Sequence, residues 1–325
     1  MKRFGSVLAI LFAILIFGGS LGGGNMFQAN QAFSQFALMI PEIESFGAIF
    51  GMILAILVGI VIIGGIKSIA RVTEKIVPFM ALLYVATALV IIFMNISDAG
   101  NAFKLIIGGA FNPSALKGGI IGVMVVGFQR ACFSNEAGVG SASIAHSAAK
   151  TNEPVSEGIV ALLEPFIDTI VICTMTALVI IFTGLYENPE NLQGVELTSK
   201  AFGSVFPWFP YLLIVAILLF AFSTLISWSY YGLKGFNFLY HKLFKTRMIT
   251  PTLELSSIIY YFIFLTFIII GASSSLGAVV DFSDMMILSM AFPNILGLII
   301  LAPEVKRDLD EYFRKIKTGE IKAYK

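Results

Sequence analysis

Eight long apolar runs, separated by clusters of polar and charged residues, divide the 325-residue chain. A helix needs about 20 apolar residues to cross the hydrocarbon of a bilayer. The runs at 4–33, 46–65, 76–96, 117–135, 155–185, 208–231, 253–272 and 282–302 meet or approach that length, and each predicts a spanning helix. The longer ones imply tilt or extension into water. The opening "MKRFGSVLAILFAILIFGG" has the basic start and apolar body of a signal peptide. Its apolar character continues past Gly24 without a small-residue cleavage site, so it reads as the first span. The segment 97–116, with "FKLIIGGAF", is expected to lie in the outer interface.

Composition agrees. The chain is 58% hydrophobic and 13% charged, where soluble domains average about 45–50% and about 25%. The expected fold class is an all-α polytopic membrane protein, with a transmembrane domain over 1–303 and a tail over 304–325. Basic residues mark the cytoplasmic side of a membrane protein. With an inward N-terminus and eight crossings, Lys2, Arg3, Lys67, Arg71, Lys75, Arg130, Lys150, Lys234, Lys242, Lys245, Arg247 and the tail's Lys306, Arg307, Arg314, Lys315, Lys317, Lys322 and Lys325 fall inside. Only Lys104, Lys117 and Lys200 fall outside, so both termini are expected in the cytoplasm, with the protein in the plasma membrane. The tail reads either as an amphipathic helix on that face or as a solvated extension.

A net charge of +1 gives no footprint for nucleic acid. Cys132 and Cys173 sit in apolar context at no metal-ligand spacing and are expected to be small buried thiols. His146 and His241 both lie beside predicted cytoplasmic loops, and no triad or metal-ligand pattern appears. No enzyme and no organic cofactor is expected.

Candidate chemistry concentrates in four places. The first is "RACFSNEAGVGSASIAHSAAK", where Arg130, Glu136, His146 and Lys150 lie amid apolar sequence and Gly138 and Gly140 interrupt the stretch. With Gly122 and Gly127 upstream, it reads either as a helix broken at membrane depth or as a helix ending near Arg130 in a cytoplasmic loop. Non-helical backbone at that depth must be buried in protein or line a cavity. The second is "LLEPFIDTIVICTMTALVI", where Glu164 and Asp168, four apart, share one face. Intramembrane carboxylates are costly. These two bind a cation, relay protons or pair with Arg130, or else form a structural pair. Pro165 predicts a kink there, and Thr169, Thr174 and Thr176 are expected to bond backbone carbonyls or a facing helix.

The third is "LLFAFSTLISWSYYG". Ser223 and Thr224 are adjacent hydroxyls in mid-span, and Trp228 lies one turn on from Thr224. They make an all-oxygen site for a hard cation beside an aromatic wall, or they are back-bonded hydroxyls and a belt tryptophan. The fourth is "GGGNMFQANQAF", where Asn25, Gln28 and Gln31 need partners inside the bundle unless they have reached the outer interface. Gln28 is the candidate substrate-facing group.

The segments "FSNEAGVGSASIAHSAAKTNEP", "ALLEPFIDTIVICTMTALVI", "VPFMALLY", "GGIKSIARV" and "FAFSTLISWSYYG" resemble the alanine/glycine:cation symporter family, the sodium:alanine symporters, from Leu11 to Leu301. The resemblance implies the amino-acid–polyamine–cation superfamily fold. That fold has two five-helix inverted repeats, each opened by a broken helix, with substrate and Na⁺ between the breaks. It implies inward symport of alanine or glycine with Na⁺, or in some members H⁺. Residue by residue, it makes Ser223, Thr224 and the Phe220 carbonyl the sodium ligands. Gln28, Gly127, Asn135, Thr224 and Trp228 become the substrate contacts, with Gly127–Asn135 in the broken sixth core helix. Arg130, Glu136, Glu164 and Asp168 become gate or structural charges. Leu233 and Ala131 depart from common family patterns.

Family members also carry a preceding segment with a Thr-Gly-Asn-rich broken helix. Relative to them the chain reads as N-terminally truncated, holding core helices three to ten. The implied function is sodium-coupled symport of small neutral amino acids, or the C-terminal part of such a symporter. The alternatives are a non-transporting membrane component that needs a separately encoded N-terminal segment, and a proton-coupled carrier using Glu164 or Asp168.

Overall fold

The computed structural model describes residues 2–111, 113–187, 191–245, 248–250 and 253–321, without the side chains of 2–3, 113–120, 250 and 253. Of the basic residues weighed for topology, Arg247, Lys322 and Lys325 and the side chains of Lys2, Arg3 and Lys117 lie outside that description.

The apolar runs fold as helices. Helix α1 (Lys2–Leu21) passes through a π-helical turn (Gly22–Met26) into α2 (Phe27–Met39). Helices α3 (Gly47–Ile62), α4 (Gly65–Met94), α5 (Ala99–Ala110), α6 (Pro113–Asn135) and the short α7 (Ala142–His146) follow. Next come α8 (Pro154–Ala161), the single turn α9 (Leu163–Pro165), a π-helical stretch (Phe166–Cys173) and α10 (Thr174–Phe182). Helices α11 (Val195–Val205) and α12 (Phe209–Leu243) lead to two short antiparallel strands, β1 (Met248–Thr250) and β2 (Leu253–Glu254), with Met248 opposite Glu254. Helices α13 (Leu255–Ser273) and α14 (Leu276–Thr318) complete the chain.

Among the described residues, seven helical segments are long and apolar enough to cross a membrane. They correspond to seven of the eight predicted runs. The remaining run, 117–135, falls on α6, whose first side chains lie outside the description. The helices overrun the predicted limits: α12 continues to Leu243 and α14 to Thr318. An apolar window marks where a helix is in hydrocarbon. It does not mark where the helix ends, because backbone hydrogen bonding continues into water.

The tail shows this most clearly. It continues α14 without a break and ends at Gly319 in the left-handed conformation (φ 75°), where glycine bears no Cβ penalty. Lys315 on it reaches Glu153 before α8, 2.9 Å away. Pro165 coincides with the change from α-helix to π-helix, a local widening where a kink was expected.

Helix α12 is the central post. It packs against α1, α2, α3, α4, α11 and α13 and contributes to three apolar clusters. One joins Leu225 and Ile226 to Val58 of α3 and Phe264 and Ile268 of α13. A second joins Phe209 and Leu213 to Tyr84 of α4, Val179 of α10 and Phe202 of α11. The third joins Trp228 to Ile16 of α1, Val139, and Ile287 and Met290 of α14. Outward-facing residues are equally apolar: Ile60 is 69% exposed and Phe262 74%. A soluble protein rarely shows such surface, and in a bilayer it meets lipid tails.

The polar residues of α1 and α2 are spent on the bundle. Asn25 Nδ2 donates to the Phe264 carbonyl at 2.7 Å, and Asn30 Nδ2 to the carbonyls of Gly271 and Ser274. Gln31 Nε2 donates to Asn30 Oδ1, and its Oε1 accepts from the Val195 amide. Gln35 Nε2 donates to Ser199 Oγ. These amides find partners inside the bundle, the first of the two outcomes expected of them.

Candidate functional site

The π turn at Gly22–Met26 and the end of α6 meet at α12, and the second π-helical stretch packs against α6. A π turn inserts an extra residue and often marks a functional position. The turn at Gly22–Met26 presents Gly24 to Trp228 and Gly23 to Ile287 and Phe133. A Cβ on Gly24 would lie 2.5 Å from the Cβ of Trp228 and overlap its ring. Gln28 folds back, its Nε2 donating to the Gly23 carbonyl at 3.0 Å.

These groups line a cavity of about 270 Å³. Gly23, Phe27 and Gln28 form one side, Thr224 and Trp228 of α12 a second, Phe133, Ser134 and Glu136 a third, and Ile287 of α14 closes it. The volume is just below the ~300–1,000 Å³ of drug-sized pockets, so the space suits a small molecule. Its lining is aromatic and apolar with a few polar groups, as ligand sites are. A larger cavity of about 740 Å³ opens where α2 and α13 end, lined in part by Glu44, Glu196 and Ser274, and holds none of the predicted site residues.

Gln28, Thr224 and Trp228 therefore come together, and Glu136 joins them. Ser223 is buried one residue from Thr224. Its Oγ donates to the Phe220 carbonyl at 3.0 Å and lies 3.6 Å from Met80 Sδ. Ser223 is thus a back-bonded hydroxyl, the second of the two readings its sequence allowed, and its oxygen faces Met80 of α4. Asn135 lies at the margin: its Nδ2 donates to Thr169 Oγ1 at 2.9 Å, and its Oδ1 accepts the Ala137 amide.

Gly127 is not brought to the cavity. It lies inside α6, which runs unbroken from Pro113 to Asn135, with open space where a Cβ would point. The break comes one step later, at Glu136–Ser141, where Glu136 (φ 56°), Gly138 (φ 84°) and Gly140 (φ 97°) are all left-handed. Glycine inside an apolar membrane helix is tolerated, so Gly127 alone did not locate the break. The glycines that bend the chain are those at positive φ.

The charges pair differently from the expectation. Arg130 does not meet Glu164 or Asp168. It forms an ion pair with Asp284 of α14, and its guanidinium sits 5.2 Å over the Phe133 ring. Asp168 accepts a 2.6 Å hydrogen bond from Ser134 Oγ. Glu164 meets His146 Nε2 at 3.0 Å, while Glu157 takes His146 Nδ1 at 2.6 Å. The signal for Asp284 was present in the sequence, as a carboxylate within the run 282–302. Its partner on α6 is visible only once the helices pack. Thr174 and Thr176 donate to the carbonyls of Thr169 and Ile172. Cys132 and Cys173 are free thiols, but neither is fully buried as expected: Cys132 is half-buried and Cys173 exposed.

His146 makes a pH test. Burial lowers its affinity for a proton, but the hydrogen bonds and charges of Glu157 and Glu164 outweigh that, and its pKa stands above the usual histidine value. A raised folded pKa adds stability that is fully present below the unfolded value of about 6.5 and is lost as pH rises through the folded value. Glu164 is half exposed, so the gain is about 0.2–1 kcal/mol per pair. His146→Gln is expected to lower the unfolding temperature at pH 6 and to match the parent at pH 9. An equal deficit at both pH values would exclude a contribution from the charged imidazole.

The sequence matches the profile of the sodium:alanine symporter family across residues 2–325. It is 38% identical to the sodium/alanine symporter AgcS of Methanococcus maripaludis, over 98% of this chain and 67% of that protein. It is 33% identical to the probable sodium/glutamine symporter GlnT of Bacillus subtilis, over 96% of this chain and 63% of the relative. It is 31% identical to the amino-acid carrier protein AlsT of the same organism, over 98% and 65%. The chain spans about two thirds of the length of these relatives. With the profile matched along nearly all its residues, the chain belongs to the sodium:alanine symporter family, and it is an integral membrane protein of a transporter family, not an enzyme.

Proposed function

We propose that the cavity between α2, α6, α12 and α14 is the amino-acid site of a sodium-coupled symporter of small neutral amino acids, alanine or glycine. The observation that carries this reading is that Gln28, Thr224 and Trp228, far apart in sequence, line one cavity of about 270 Å³. The buried hydroxyl of Ser223 and the Phe220 carbonyl, 3.0 Å apart, lie within one turn of Thr224 on α12. An all-oxygen cluster suits a hard cation such as Na⁺. A cation bound there stabilises the amino-acid-bound state, and by linkage the amino acid raises sodium affinity by the same factor. Both termini face the cytoplasm and the membrane is the plasma membrane, a reading supported by the concentration of Lys and Arg on one side.

The test is a sodium titration of alanine binding and uptake in proteoliposomes. Thr224→Ala is expected to raise the half-effective sodium concentration about tenfold, equivalent to about 1.4 kcal/mol. Unchanged sodium dependence and unchanged alanine affinity would sink the assignment. Uptake driven by a pH gradient without sodium would instead favour proton coupling, for which Asp168, bonded to the cavity-lining Ser134, lies nearer the cavity than Glu164, which is held by His146.

A further inference from the structure

The turn after α6 is costly. Glu136 holds φ 56°, a left-handed conformation uncommon outside glycine and asparagine. Such outliers persist where surrounding contacts over-determine them, and they cluster at functional sites. Here those contacts are specific. Glu136 Oε1 accepts the indole Nε1–H of Trp228 at 2.9 Å, and Oε2 accepts the hydroxyl of the fully buried Ser141. Val139, within the same turn, is fully buried beside Ile16, Trp228, Ile287 and Met290. The Gly138 carbonyl accepts from Asn294 Nδ2 at 2.9 Å.

Asn294 lies about 10 Å further along α14 than the cavity-lining Ile287 at 1.5 Å per residue, towards the face of the bundle at which α14 ends at Thr318. The turn therefore sits between the cavity and that face, and the Glu136–Trp228 hydrogen bond ties the cavity wall to it. Trp228 has two faces to satisfy. Gly24 leaves room for one side of the ring, but Gly24 packing alone does not choose the ring's rotation. The Nε1–H is a single directional donor, and Glu136 is the group that accepts it.

We propose that Glu136 is a positioning residue for the wall of the cavity: its carboxylate orients the Trp228 indole and so sets the size of side chain the cavity admits. The substrate half of this proposal rests on the symport reading, and the geometric half does not.

The chain has two tryptophans, Trp208 and Trp228. Trp208→Phe leaves Trp228 as the sole reporter, and Trp208 is itself 54% exposed, packed only on Phe206 and Phe209 among the described rings. In that background the whole chain is purified in lipid nanodiscs, and acrylamide quenching of Trp228 is measured with alanine binding. Glu136→Ala is expected to raise the quenching constant several-fold and to weaken alanine binding about tenfold while larger neutral amino acids lose less. Glu136→Gln, which keeps an acceptor oxygen, is expected to stay within twofold of the parent in both. Quenching unchanged in Glu136→Ala overturns the proposal. So does an equal rise in both variants, which would assign the effect to charge instead of the hydrogen bond. Should Glu136→Ala fail to fold, Ser141→Ala decides, since it frees the carboxylate without removing it: raised quenching supports the proposal and unchanged quenching overturns it. A parent chain that binds no alanine counts against the symport reading alone, because quenching needs no substrate.

Discussion

Gly271→Ala is expected to destabilise the protein by about 3 kcal/mol, the upper end of the usual cost of overpacking. The change adds one carbon to helix α13. Alanine favours a helix over glycine by about 1 kcal/mol, so an isolated helix would gain. In the bundle the new Cβ meets backbone: it would lie 2.6 Å from the Met26 carbonyl oxygen and overlap the Met26 Cα. No side chain can swing aside. The two segments cannot separate cheaply either, because the same crossing holds the hydrogen bonds of Asn25 to the Phe264 carbonyl and of Asn30 to the Gly271 carbonyl. Thermal unfolding in detergent reads the effect. Gly277→Ala, with nothing within 4 Å of the new carbon, is the control and is expected to stay within about 0.5 kcal/mol of the parent. Equal stability of Gly271→Ala and the parent would show that α13 and the π turn are not held in backbone contact.

Trp228→Ala is expected to have the largest effect on ligand binding. The indole is 3% exposed, walls the cavity and packs with Ile16, Ile287 and Met290. Truncating a buried tryptophan costs about 3–5 kcal/mol. The loss also removes the hydrogen bond to Glu136 Oε1, and an unmet acceptor adds to the cost. Alanine affinity is expected to fall by more than tenfold, and larger neutral amino acids are expected to gain relative to it. Trp208→Ala, at an exposed position, provides the comparison. Equilibrium binding across a series of side-chain sizes checks this, and an unchanged size preference would remove Trp228 from the wall.

The helices were legible because a long apolar run has one physical solution in a bilayer: backbone groups must bond within the segment. Their ends were less legible. α14 reads as a span over 282–302 but continues to Thr318, since nothing in the hydrocarbon requirement stops a helix in water. The site was legible in part. Thr224 and Trp228 are one turn apart on one helix, so their shared face follows from spacing. Gln28 joined them by resemblance. Phe27, Phe133 and Ile287 carried no signal, because apolar side chains in an apolar chain are indistinguishable until one of them faces a cavity.

Ion pairing divides along the same line. An arginine at the end of an apolar run and carboxylates within such runs demand partners, and the sequence alone establishes that demand. It does not establish which carboxylate answers. Spacing suggested Glu164 or Asp168, and packing of α6 against α14 selected Asp284. The left-handed Glu136 has the same character: glycines at 138 and 140 announce a turn, but a strained glutamate inside it arises only when Trp228 and Ser141 hold its carboxylate in place. Local composition thus determined the membrane class, the helices and the demand for polar partners, because those depend on the solvent around each segment. Tertiary structure decided the partners, the position of the break and the shape of the cavity, because those depend on which helix faces meet.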